Sequence, residues 1–260
     1  MTKHVFPPAP IPALPIQGTD ETFPVHRIFC VGRNYVAHAQ EMGGEVDREA
    51  PWFFTKSAHH IHTGGDVPFA VGTENYHHEV ELVVALGKSA TNIDAADAAQ
   101  IVFGHAVGLD MTRRDLQAEA KKMGRPWDWG KAFDHSAPIG AIKPIAQVPS
   151  VEAGRIWLAV NGETRQDADI ADLIWAVREH ISILSQAMEI APGDIIMTGT
   201  PAGVGAVVPG DVITEAGQQK VATADELQAR IDSARDGGRK SLLLLVRRGG
   251  DPRFVALSLQ

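Results

Sequence analysis

The sequence lacks most of the features that would place it in an oxidising compartment, in a membrane or on a nucleic acid. Its single cysteine, Cys30, allows no intramolecular disulfide, which suits a reducing cytoplasm. The longest aliphatic run, 242–246, is a strand's length and far too short to span a bilayer. Cations are in the minority, with 24 Lys and Arg against 32 Asp and Glu and a net charge of −8. That balance argues against nucleic acid as a partner, because phosphate binding needs clustered cations. It leaves room for a small anionic substrate, since a metal and a few local cations outweigh a distant global charge. The N-terminus carries Pro7, Pro8, Pro10, Pro12 and Pro15 and no continuous apolar core of a signal peptide, so residues 1–24 are expected to form an extended arm.

The remaining composition is that of a globular chain: 260 residues, 44% hydrophobic and 22% charged, enough for one large core or a domain with an appendage. Apolar, β-branched segments predict strands at 28–31, 80–86, 102–109, 156–160, 195–198 and 242–246. Helices are expected at 35–42, 115–123, 168–190 (with a charged break at Arg178-Glu179-His180) and 224–235. Thr223 and Glu226 fit a capping box for the last. Pro192-Gly193-Asp194 and Pro209-Gly210-Asp211 are turn signals. The pattern is a mixed α/β chain, rich in strand, with long irregular loops rather than a regular βαβ alternation.

Chemistry concentrates in His78-Glu79-Val80-Glu81. Residues two apart in a strand share a face, so Glu79 and Glu81 project together. Either both face solvent at a sheet edge, or a divalent cation relieves their repulsion. Asp110, ending the 102–109 strand, supports the second reading by offering a third carboxylate. Three such ligands suit Mg²⁺, Mn²⁺ or Ca²⁺ with open positions for water and substrate. Asp115 is expected to cap the following helix or to pair with an arginine. His38 and Glu41, three apart, share a helix face.

These residues sit inside a longer pattern. It comprises Gly32-Arg33-Asn34-Tyr35-x-x-His38-x-x-Glu41, Phe54-x-Lys56, Glu79-x-Glu81-Leu82 and Gly108-x-Asp110-x-Thr112-x-Arg114-Asp115-x-Gln117. It continues through Gly130-Lys131-x-Phe133-Asp134, Val160-Asn161-Gly162-Glu163-x-x-Gln166 and 198–205. In this order the chain resembles the fumarylacetoacetate hydrolase family, and around 109–117 and 126–136 it is most similar to bacterial fumarylpyruvate and acylpyruvate hydrolases. The resemblance implies a β-rich roll or sandwich over 25–212 with short helices and a lid. It implies Glu79, Glu81 and Asp110 as ligands of a divalent cation, Mg²⁺ first. Lys131 would stabilise developing negative charge, and Gln117 and Thr200 would contact the substrate. His38 and Glu41 would form a dyad on the lid helix. A homodimer is implied as well. Gly199, in a glycine-rich loop, would let backbone groups approach a ligand. Arg33 would serve a substrate carboxylate or pair with an acid.

The activity implied is hydrolysis of a carbon–carbon bond in an acylpyruvate, a 2,4-diketo acid, during the breakdown of aromatic compounds. An oxaloacetate-type decarboxylase or keto–enol isomerase at the same site is the rival, because both pass through a pyruvate enolate. Other constellations weigh less. His59, His60 and His62 lack the spacing of a zinc site, although His78 could lie near the metal. Cys30 reads as a buried structural thiol. Trp127 and Trp129 could wall a pocket, but packing is the preferred reading. Residues 213–260 depart from the pattern and instead resemble the second half of a PDZ domain, with Gly249-Gly250 as a hairpin turn. They raise the alternative of a catalytically weak scaffold or binding protein.

Overall fold

The computed structural model describes residues 3–43, 48–148, 151–216, 241–248 and 251–258. Met1–Gly217 and Gln218–Gln260 form two separate compact units.

The centre of the first unit is a six-stranded sheet in the order Lys143–Pro144, Val102–Leu109, Val80–Leu86, Ile195–Met197, Ile28–Gly32, Trp52–Lys56. The Ile195–Met197 strand runs parallel to Ile28–Gly32, and the other neighbours are antiparallel. The middle strands read as continuous apolar runs because both their faces are covered. Val80, Leu82, Val84 and Leu86 join Phe29, Val31 and Ile196 on one face, beneath Leu158, Ile181 and Leu184. Val83 and Ala85 join Ile28, Cys30, Ile195 and Met197 on the other, against Leu14, Phe23 and Ile142. Cys30 is fully buried, as the sequence suggested.

The extended arm expected over 1–24 is limited to its first part: residues 3–11 are exposed and carry no strand or helix, and the rest is tied down. Ala13–Pro15 pairs with Thr22–Pro24 as an antiparallel hairpin, and Leu14 and Phe23 enter the core. The expected helix at 168–190 is also corrected. Glu163–Asp169 is a strand paired with Arg155–Val160, and Asp169 then caps a short turn by accepting from Ala171 N at 2.8 Å. The helix proper is Val177–Ala187. The charged Arg178-Glu179-His180 is its first turn, not a break, because Glu179 accepts from Ala176 N at 2.7 Å and an acid is favoured at a helix start. The two Pro-Gly-Asp turns repeat one chemistry: Asp194 accepts from Ala191 N at 2.8 Å and Asp211 from Val208 N at 2.9 Å.

In the second unit, Ser241–Arg248 pairs antiparallel with Asp251–Ser258. The expected helix at 224–235, its capping box and the Gly249-Gly250 turn lie outside the described residues. No helix among the described residues is long and apolar enough to cross a membrane.

Candidate metal centre and its cleft

Strand register brings the three carboxylates together. Val80 pairs with Leu109 and Glu81 with Gly108, so Glu79 lies opposite Asp110, whose N–H donates to the Glu79 carbonyl at 2.8 Å. Alternation turns Glu81 to the same side as Glu79. One oxygen from each of the three lies within 4.8 Å of the others. That span matches a cation held at about 2.1–2.4 Å from its ligands. The solvent-edge reading fails, since Glu79, Glu81 and Asp110 are 3%, 1% and 1% exposed.

Buried carboxylates need partners. Lys131 Nζ donates to Glu79 at 2.7 Å, Asp110 at 2.5 Å and Thr112 Oγ1 at 2.7 Å. Arg114 donates to Glu79 Oε1, and Lys56 Nζ lies 2.9 Å from Asp110 Oδ1. Burial alone would raise the Glu79 carboxyl, but Lys131 and Arg114 hold it well below the usual range. Glu81 has no cation at contact among the described residues. It accepts only the Gly199 N–H, at 2.9 Å, and burial with the neighbouring Asp110 and Glu79 pushes it well above the usual range. An all-oxygen set with one uncompensated carboxylate suits a hard divalent cation, which would supply the missing charge.

Local packing places each partner. Lys131 ends the short helix Asp128–Lys131, which abuts the helix Arg114–Met123. Only glycine fits at 130: a Cβ there would lie 2.9 Å from Gln117 N and Cβ. Gln117 is buried and accepts from Arg114 at 2.6 Å, leaving its amide nitrogen to donate. The Thr200 hydroxyl gives its hydrogen to Val80 O at 2.9 Å and accepts from Gln166 at 2.7 Å. Gln166 also accepts from Val80 N at 2.9 Å, so it pins the Thr200 loop to the strand carrying Glu81.

His38 and Glu41 lie on the helix Val36–Glu41, with His38 Nδ1 3.3 Å from Glu41 Oε2. Glu41 accepts from Gly203 N at 3.2 Å, tying the helix to the glycine-rich loop. Burial pulls the His38 imidazole below its usual range, against the carboxylates of Glu79 and Glu41. Burial thus outweighs the Glu41 carboxylate, which alone would favour the charged imidazole. A neutral imidazole is the form that accepts a proton.

Several expectations change. Among the described residues Asp115 pairs with no arginine. It accepts from Thr73 Oγ1 at 2.6 Å, Glu74 N at 2.9 Å and Leu116 N at 2.9 Å, fastening a loop to the helix. His78 faces away from the carboxylates and meets Gln166 at 3.1 Å, as alternation requires of Glu79's neighbour. Trp127 does wall the cleft, while Trp129 is 79% exposed. Lys56, Arg114 and Gln166 stood in the sequence pattern without a role. Strand register and packing, not a local signal, bury them at the site.

Glu79, Glu81, Asp110, His38, Lys131, Gln117, Thr200 and Arg33 all line one cleft. Fold and site together define a strand-rich enzyme with a buried carboxylate centre suited to a divalent cation. A family model described as "Fumarylacetoacetate (FAA) hydrolase C-terminal" matches residues 27–236, and the chain belongs to that family. The match continues past residue 212, and the half-PDZ reading of 213–260 finds no support. A fumarylpyruvate hydrolase from Ralstonia sp is 47% identical over 175 residues, covering 66% of this chain and 91% of that protein. The human mitochondrial oxaloacetate tautomerase FAHD1 is 42% identical over 190 residues, covering 73% and 86%. The crystal structure of a Pseudomonas aeruginosa fumarylpyruvate hydrolase with Mn²⁺ and pyruvate superposes with a TM-score of 0.79 at 50% identity. It covers 80% of this chain and 92% of that one.

Proposed function

We propose that this enzyme hydrolyses the carbon–carbon bond of an acylpyruvate such as fumarylpyruvate, releasing a carboxylic acid and pyruvate in the breakdown of aromatic compounds. The observation that carries the reading is the convergence of three buried carboxylates, Lys131 and His38 on one cleft, with Glu41 against the Nδ1 side of His38. Glu79, Glu81 and Asp110 would hold the cation, Mg²⁺ in our reading. When bound, it supplies a Lewis acid for the 2-oxo acid end of the substrate. His38, oriented through Nδ1 by Glu41, takes a proton from water. The water oxygen bonds to C4, and the C3–C4 bond breaks with its electron pair moving onto the pyruvate fragment. Lys131 stabilises the enolate charge that develops, and the proton on His38 is available to return to C3. Gln117, Gly199 and Thr200 position the substrate. A cytoplasmic homodimer completes the proposal, the dimer resting on the family resemblance.

The relation to oxaloacetate tautomerases supports a second reading, keto–enol isomerisation or decarboxylation of oxaloacetate, which needs the enolate but no attacking water. Pyruvate release from 2,4-diketo acids should exceed oxaloacetate turnover and should collapse in Glu79→Gln and His38→Ala. Wild-type rates in either variant, or oxaloacetate turnover alone, would overturn the hydrolase reading.

A further inference from the structure

Two cations of the cleft have no carboxylate partner among the described residues. Arg33 stands on left-handed backbone, φ 57°, and its Nε is buried without a hydrogen-bond partner. Its guanidinium carbon lies 5.4 Å from the centre of the Trp52 ring. Lys121 Nζ lies 5.4 Å from the centre of the Trp127 ring. The two indoles stack on each other, 5.0 Å apart and 18° from parallel. Two cations thus brace one aromatic plate.

Both cations line the same cleft as the carboxylates, yet neither is taken by them. Glu79 is matched by Lys131 and Arg114, and Asp110 by Lys131 and Lys56. Burial and the charge of Arg33, with Arg114 and Lys131, push the Lys121 ammonium below its usual range. Like charges crowded in a half-buried cleft favour an anion between them. Cation–π contact explains where the two side chains rest, but it leaves the guanidinium donors unused.

We propose that Arg33 and Lys121, flanking the stacked Trp52 and Trp127, form a subsite for a second carboxylate at the far end of the acyl group. The enzyme would then select diketo acids whose acyl part ends in a carboxylate over those with a neutral acyl part. The idea rests on the acylpyruvate reading above. A flat, unsaturated linker between the two carboxylates suits the indole plate.

The test compares kcat/KM for fumarylpyruvate and acetylpyruvate in the wild type, Arg33→Gln, Lys121→Gln, the double variant and Arg33→Lys. The wild-type preference for fumarylpyruvate should fall about tenfold in each Gln variant and further in the double. Arg33→Lys should keep part of it, because the charge remains while the fork is lost. Added salt should shrink the preference in the wild type and leave the double variant unchanged. A wild-type preference near one, or equal losses on both substrates, overturns the subsite. Calorimetry with 2-oxoadipate and 2-oxohexanoate, 2-oxo acids with and without a terminal carboxylate, separates this idea from the hydrolase reading. Tighter binding of the dicarboxylate, lost in the double variant, supports the subsite even if no diketo acid is cleaved. Equal binding overturns the subsite even if cleavage stands.

Discussion

At the scale of single residues, Lys131 does two opposed things. It offsets Glu79 and Asp110, and it occupies space and charge that a divalent cation would share. Lys131→Met should therefore bind Mn²⁺ about tenfold more tightly, as a like charge leaves the site. It should also lose about a hundredfold or more in kcat, as the enolate loses its donor. Metal titration and pyruvate release read the two effects separately. His38 carries a pH prediction. Its imidazole is held below the usual 6.5, so the neutral base persists to lower pH than for an exposed histidine. Activity should fall as pH falls, with that limb of kcat/KM centred below 6.5. A limb centred well above it would contradict the assignment. That Glu79 and Glu81 share one face, and His38 and Glu41 another, was legible because spacing along strand and helix is written in the chain. Their joining with Asp110 in one site was implied by the family resemblance. The burial of Lys56 and Arg114 was not legible. A lysine that ends an edge strand and points inward has the same letter as one in solvent, and only the register of Trp52–Lys56 against Ile28–Gly32 buries it.

At the scale of elements, the strands Val80–Leu86 and Val102–Leu109 match their sequence reading because both faces are apolar and length alone marks them. Residues 168–176, read as the start of a helix, misled because the strand Glu163–Asp169 that ends there is polar and largely exposed. Its partner Arg155–Val160 and the cap at Asp169 decide its form, and neither is local to the pattern. The loop after Ile195–Met197 carries a third prediction. Gly199 has φ +101°, and a Cβ there would lie 2.6 Å from Asn34 Cβ. Gly199→Ala should shift the N–H that serves Glu81 and lower thermal stability, by about 2 kcal/mol or more. It should weaken metal binding with it. Thermal melts and metal titration of the same sample would show both, and an unchanged variant would remove the loop from the site.

At the scale of the molecule, the carboxylate centre belongs to the unit Met1–Gly217. Ile213–Ala216 pairs with Leu158–Val160 at the edge of a three-stranded sheet, so that strand is part of the first unit's fold. A chain ended after Gly217 should melt cooperatively and retain diketo-acid turnover. One ended after residue 212 should be less stable, as an edge strand and its ladder are lost. Equal melting of the two would show that the strand adds nothing. The family's pattern made 25–212 legible. The family model extends that match to residue 236.

The central claim is that Glu79, Glu81 and Asp110 form one divalent-metal site on which turnover depends. The direct measurement is a Mn²⁺ titration of metal-stripped wild type and Asp110→Asn, with pyruvate release from fumarylpyruvate followed at each point. One tight site per chain is predicted in the wild type, with activity rising as it fills. Asp110→Asn should remain folded while affinity and turnover fall together. Full turnover in the metal-stripped wild type, or undiminished Mn²⁺ binding by Asp110→Asn, would contradict the account.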